Sequence, residues 1–225
     1  MRIDILTVLP ELLEGPLNHS ILKRAQNKGL VEIVVHNLRD FSTDKHRRVD
    51  DYPFGGGAGM VMMPQPVHDC VNAVDPDRQA LRIYLSPKGE KLTQKKVVEL
   101  SERERLLFLC GHYEGVDQRV LDLDFDCEIS VGDYVLTGGE LPAMTLADAV
   151  ARYVPGVLGS GESTAEESFS SGLLEYPQYT RPQIFEGLEV PEVLVSGHHA
   201  NVAKWRMERQ LEITRRCRPD LLKED

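Results

Sequence analysis

Residues Glu128–Met144 read EISVGDYVLTGGELPAM, and the order of elements around this stretch decides the fold. The short run Cys127–Ser130 has the make-up of a strand. A loop carrying Gly132, Gly138 and Gly139 follows it. Beyond the loop, Leu146, Ala149, Val150 and Tyr153 recur at helical spacing. That spacing predicts a helix over Pro142–Val154, with the proline in its first turn. A strand that feeds a helix through a glycine loop belongs to an α/β domain with a largely parallel sheet.

The same alternation runs outward from this segment. Ile3–Val8 and Val31–Asn37 are rich in β-branched residues and read as strands. Ser20–Lys28 between them reads as a helix, with Ser20 as its cap and Gly29 as its stop. Gln65–Asn72 and Thr93–Leu100 read as helices, and Leu81–Leu85 as a strand. Leu106–Cys110 (LLFLC) is apolar throughout, as expected of a strand buried on both faces. The expected domain has helices on both faces of the sheet. In such sheets ligands bind at the carboxyl ends of strands. Three loops follow strands there, Ser86–Gly89, Gly111–Gly115 and Val131–Pro142. After Pro155 the chain changes character. Gly156–Ser171 is small, polar and acidic and reads as a flexible linker, with a boundary near Ser160. Tyr176–Pro182 reads as an extended turn segment, and Asn201–Cys217 as a basic helix. The expected division is a domain over 1–159, a linker over 160–171 and a small, mainly helical domain over 172–225. No internal repeat is visible.

The bulk numbers set limits. The chain has 225 residues and 41% hydrophobic content, enough for a core. No apolar run approaches the roughly 18 residues needed to span a membrane. The start, MRIDILTVLPELLEG, reads as a first strand and not as a signal peptide. The four cysteines, Cys70, Cys110, Cys127 and Cys217, are scattered and read as free thiols in a reducing cytoplasm. The net charge of −10 disfavours indiscriminate nucleic-acid binding. Phosphate contacts depend on local basic surface, which two places supply. One is Lys45-His46-Arg47-Arg48; the other is Asn201–Arg218, with six Lys/Arg against two Glu. Composition alone favours reading both as solvated faces.

Several motifs compete for attention. Gly55-Gly56-Gly57-Ala58-Gly59 contains G-x-G-x-G, but Asp50–Phe54 precedes it in place of a strand, and Pro64 and Pro66 follow. A dinucleotide-type loop needs a strand before it and a helix after it. A lid or RNA-contacting loop is the better reading, with an ordinary turn as the alternative. Asp122-x-Asp124-x-Asp126 mimics the start of a calcium loop, but Cys127 stands where glycine is required. A surface turn and strand edge is expected there. His198-His199 has no metal-binding partner at ligand spacing and reads as a loop pair. Val131–Pro142 differs from these. Its glycines let backbone groups approach a ligand closely, and its apolar residues suit a flat ring such as adenine. A purely structural turn remains the alternative.

Taken together, YLSPKGE (Tyr84–Glu90), LCGHYEGVDQRV (Leu109–Val120), SVGDYVLTGGELPAM (Ser130–Met144), RYVPGVLG (Arg152–Gly159) and YPQYTRP (Tyr176–Pro182) resemble the bacterial tRNA (guanine-N1-)-methyltransferase family. RDFSTDKHRRVDDYPFGGGAGMVM (Arg39–Met62) and SGHHANVAKWR (Ser196–Arg206) match as well, so the likeness runs along essentially the whole chain. The resemblance implies a SPOUT-class α/β domain with a trefoil knot over 1–159, a linker, and a helical tRNA-binding domain over 172–225. It implies a cytoplasmic homodimer with active sites across the subunit interface. It implies S-adenosylmethionine as methyl donor, tRNA as substrate, and the guanosine at position 37, 3′ of the anticodon, as target. The cofactor-binding residues it implies are Leu85, Ser86 and Pro87 in the first loop, and Gly111 and Glu114 in the second. In the third loop they are Val131, Gly132, Asp133, Tyr134, Val135, Leu136, Gly138, Gly139, Leu141 and Pro142. Magnesium dependence is implied too, though no residues stand at obvious ligand spacing.

Guanine N1 carries a proton at neutral pH and is a poor nucleophile. Its methylation needs a base for that proton and a positive group for the charge that builds on O6. The family pattern puts these roles on a linker Asp and on the Arg before the V/I-P-G-V-L-G run. In this chain the arginine is Arg152, and the Asp position is occupied by Glu167, one methylene longer. Glu166 and Glu175 are the other carboxylates that could serve. Glu114 could sit near the sulfonium or a magnesium ion. Two other readings remain open at this point, a non-catalytic RNA-binding protein on the same scaffold and a Rossmann-type enzyme using Gly55–Gly59.

Overall fold

Five parallel strands form the centre of the computed structural model, which describes residues 1–158 and 167–222. The chain divides into two compact units, Met1–Gly159 and Ser160–Asp225. In the first, β1 (Arg2–Thr7) is followed by α1 (Glu11–Leu17), α2 (Ser20–Asn27) and β2 (Glu32–Asn37). A small antiparallel hairpin comes next, β3 (Asp50–Asp51) and β4 (Val61–Met62). Then come α3 (Pro64–Val74), β5 (Leu81–Lys91), α4 (Gln94–Ser101), β6 (Arg105–Cys110), α5 (Gln118–Asp124), β7 (Cys127–Ser130) and α6 (Glu140–Ala151). The sheet order is β2-β1-β6-β5-β7, and every pairing is parallel.

Residue alternation along the strands sorts the core into two layers. Ile3, Ile5, Leu106, Phe108 and Ile83 face the side covered by α1, α2, α4 and α6. Leu6, Leu107, Leu109 and Tyr84 face the side covered by α3 and α5. Both faces of β6 are therefore buried, which is why its sequence is apolar throughout. The expected α/β domain with a parallel sheet and helices on both faces is what the chain forms.

Three local expectations need correction. Asp122 and Asp124 lie in α5, not in a surface turn. Asp117 caps that helix by accepting the N–H of Arg119 at 3.0 Å. The buried Val120 and Leu121 anchor it, and Asp124 is itself buried against His68 at 2.6 Å. Second, β5 does not end at Leu85. Both Leu85 and Glu90 pair with Ile129, so Ser86–Gly89 is looped out of a strand that then resumes. Gly89 makes this possible: a Cβ there would sit 2.4 Å from the Glu128–Ile129 backbone. Third, His199 opens a helix instead of lying in a loop.

The second unit holds a short hairpin, β8 (Ile184–Phe185) and β9 (Leu188–Glu189), then α7 (Glu192–Val195) and α8 (His199–Cys217). Trp205 on α8 meets Tyr179 with ring centroids 6.3 Å apart, and the Arg206 guanidinium lies 4.6 Å from the centre of the Tyr176 ring. Buried Thr214 accepts the Leu174 N–H at 2.9 Å. These contacts fasten the 174–179 segment to α8. No described helix is long and apolar enough to cross a membrane.

Candidate active site

The three loops expected to converge do so. A cleft of about 330 Å³ opens at the carboxyl ends of β5, β6 and β7, within the range of small-molecule sites. Leu85, Ser86 and Pro87 line it from the first loop, Gly111 and Glu114 from the second. Val131, Gly132, Tyr134, Val135, Leu136, Gly138, Gly139 and Pro142 line it from the third. Asp133 and Leu141 do not. Asp133 turns outward to an exposed ion pair with Lys91 at 3.0 Å, and Leu141 is exposed on the first turn of α6.

Glycine shapes this cleft by letting backbone pass close to backbone. The Gly139 N–H donates to the Gly111 carbonyl at 2.9 Å. A Cβ on Gly139 would stand 2.5 Å from Cys110 Cα and 2.7 Å from Gly111 N. The third loop is thus held flat against the end of β6, and α6 starts there. On the second loop, a Cβ on Gly111 would meet the Tyr84 hydroxyl at 2.8 Å. Burial, with help from the Glu128 charge, pushes the Tyr84 phenol up to about 12, so it stays protonated at neutral pH. The Cys110 thiol is pushed up by burial and by Glu140, which leaves it inert as a nucleophile.

The Gly55–Gly59 segment is the tip of the β3–β4 hairpin, so strand β4, not a helix, follows it. The hairpin is tied to the second cleft loop. The Glu114 N–H donates to the Met60 carbonyl and the Met62 N–H to the Gly115 carbonyl, each at 2.9 Å. A Cβ on Gly59, whose φ is +82°, would run into the Glu114 side chain. The basic run beside this hairpin is partly neutralised. Arg47 pairs with Asp40 and Arg48 with Asp44, each at 3.2 Å.

The residues proposed for chemistry belong to different units. Arg152 is the carboxyl cap of α6, a 12-residue helix whose other end abuts the cleft. At about 1.5 Å per residue the two ends are about 18 Å apart. Glu167 belongs to the second unit, where its carbonyl accepts the Ser170 N–H at 3.2 Å. Glu175 accepts from the Gln178 amide at 2.6 Å, and Glu166 lies outside the described residues. Most of the expected linker 160–171 lies outside them too. On α8, Lys204, Arg215 and Arg216 are exposed. Among the described residues, no three His, Cys, Asp or Glu side chains stand together as a metal site would need.

Sequence reasoning passed over several contributors, Ile129 among them. Tyr84 and His112 line the cleft, and Thr7 and Glu140 lie behind it. His112 and Glu140 sat inside quoted motifs, so position was the available signal; Thr7, at the end of β1, gave none.

A glycine-lined cleft at the carboxyl ends of a parallel sheet marks an open α/β ligand-binding protein. The family model described as tRNA (Guanine-1)-methyltransferase TrmD matches residues 1–224, and the chain belongs to that family. A tRNA (guanine-N(1)-)-methyltransferase of Alkaliphilus metalliredigens is 56% identical over 227 residues, covering 99% of this chain and 92% of the relative. The protein of that name from Caldanaerobacter subterraneus subsp. tengcongensis is 57% identical, with 99% and 92% covered. The one from Staphylococcus aureus is 53% identical, with 99% and 91% covered.

Proposed function

We propose that this chain is a methyltransferase that transfers a methyl group from S-adenosylmethionine to N1 of the guanosine at position 37 of tRNA, in the cytoplasm. One observation carries the reading: a chain matching this family over residues 1–224 brings its three glycine-bearing loops together around one cleft.

The cleft suits the adenosyl group. Leu85, Ile129, Val135 and Leu136 offer apolar walls to a flat ring, and the glycine backbones offer hydrogen bonds. Glu114 puts a carboxylate on the wall, matched in sign to a sulfonium. The bound cofactor would supply an electrophilic methyl group. Magnesium has no fitting set among the described residues, and no step is assigned to it.

In this reading Glu167 takes the N1 proton of guanine as the N1–methyl bond forms and the sulfur–methyl bond breaks. Arg152 holds the charge that develops on O6. The enzyme works as a homodimer with a trefoil knot in the first domain. Two features support this. Arg152 ends a helix about 18 Å long that starts at its own cleft, which favours service at a partner's site. The step from β6 to β7 crosses over β5, and the chain then returns to the end of β6 before α6 begins. Residues 172–225 act as the tRNA-binding domain, with Lys204, Arg215 and Arg216 available to phosphates.

Glu167→Gln tests the assignment of the base. Turnover of labelled S-adenosylmethionine with tRNA should fall by about a hundredfold or more. Calorimetric affinity for S-adenosylhomocysteine should stay the same. Full activity in this variant would remove Glu167 from the role.

A further inference from the structure

Beside the cleft stands a buried carboxylate that the mechanism does not use. Glu140 is the first residue of α6 and 2% exposed. It does not line the cleft, yet it touches two neighbouring segments. The Thr7 hydroxyl at the end of β1 donates to Glu140 Oε1 at 2.6 Å. That hydroxyl oxygen in turn accepts the Leu9 N–H at 2.9 Å. Glu140 Oε2 lies 3.3 Å from His112 Nε2, and His112 does line the cleft. Gly138 passes directly over this pair: a Cβ there would stand 2.5 Å from both Glu140 Oε2 and His112 Nε2.

An ionised group is buried only where partners compensate for lost water. Here the partners come from two distant parts of the chain, and both meet Glu140 at the carboxyl ends of the strands. The helix start is also where a negative charge is favoured by the N–H groups of the first turn. A carboxylate so placed fixes the third cleft loop to the second through His112, and to β1 through Thr7.

Resting on the cofactor reading above, we infer that Glu140 is a positioning residue for the methyl donor: it holds the Gly111 and Gly139 loops at the separation the adenosyl group requires, without touching that group. Its loss should act on cofactor affinity and leave tRNA affinity and turnover at saturation nearly intact.

The test uses the full chain, with S-adenosylhomocysteine as the calorimetric probe and S-adenosylmethionine and tRNA as substrates. Glu140→Ala should weaken S-adenosylhomocysteine about tenfold to hundredfold, as expected when buried donors lose a charged acceptor. KM for S-adenosylmethionine should rise in step, with kcat within about threefold. Glu140→Gln keeps an oxygen for Thr7 and an amide for His112, and should restore affinity to within about threefold of the parent. Thr7→Val serves as a second probe if Glu140→Ala does not fold, and should weaken the same affinity several-fold. Unchanged S-adenosylhomocysteine affinity in a folded Glu140→Ala or Thr7→Val protein would overturn the inference. So would a loss confined to kcat or to KM for tRNA. A parent protein that binds S-adenosylhomocysteine but methylates no tRNA would refute only the substrate reading; one that binds none would refute the cofactor reading and this inference with it.

Discussion

Near the amino ends of the strands, the Met1–Gly159 unit buries Asp4, Asp75 and Arg82 in a set of ion pairs; at the carboxyl ends it presents glycines. Asp4 is fully buried and accepts from Arg2, Arg105 and His36 at 2.8–3.0 Å. Asp75 accepts from Arg82 at 2.8 Å and from the Gln79 N–H at 2.9 Å. Every strong acceptor there is satisfied within the chain. At the other end, Gly111, Gly132 and Gly139 bring bare backbone to the rim of a cleft. The difference teaches where stability and affinity reside. One end closes the framework; the other opens a cleft to a ligand.

Substitutions at the two ends should therefore separate cleanly. The largest effect is expected for Asp75→Ala, which takes the nearer carboxylate from buried Arg82 and leaves it Asp124 at 3.9 Å. It should cost about 3–5 kcal/mol in urea unfolding while the folded fraction binds S-adenosylhomocysteine as before. A matching loss of affinity would show that the ends are coupled and would break the comparison. Gly139→Ala should do the reverse. The added methyl meets backbone, which cannot swing aside, so affinity for S-adenosylhomocysteine should fall tenfold or more, about 1.4 kcal/mol upward, with a smaller change in stability.

Acid should act on the charged end. Burial alone would push Asp4 up, but the bonds from His36, Arg2 and Arg105 outweigh it and hold the carboxyl well below its usual range. A carboxyl depressed on folding contributes stability above its unfolded value near pH 4 and loses it as pH falls toward the folded value. Stability measured from pH 7 down to pH 3 should therefore drop less in Asp4→Asn than in the parent, by on the order of 1 kcal/mol. Equal slopes would remove Asp4 as the acid-sensitive group. The smallest effect is expected for Asp133→Ala. Its pair with Lys91 is exposed, so stability should move by less than about 0.5 kcal/mol and cofactor affinity by less than about twofold.

Much of this was readable before any coordinates. Periodicity found most of the core strands and helices because the buried faces of Ile3–Ile5, Leu106–Cys110 and Leu146–Val150 impose it. It also named the three loops, since a parallel sheet gathers such loops at one edge. It missed α5, whose core residues Val120 and Leu121 are adjacent and too few to show a helical period. It ended β5 at a turn signal, because nothing local to Ser86–Gly89 tells that the strand resumes against Ile129. Within the site, composition found the glycines but not the Thr7–Glu140–His112 contacts, the first of which joins residues 133 apart in sequence. The names of cofactor and substrate came from neither periodicity nor packing, but from likeness to a family.

The most direct test of the account is a transfer assay with methyl-labelled S-adenosylmethionine and two tRNA transcripts, one with guanosine at position 37 and one with adenosine there. Digestion to nucleosides should show label in 1-methylguanosine from the first transcript and none from the second. Absence of label from both, or equal label in both, would contradict the account.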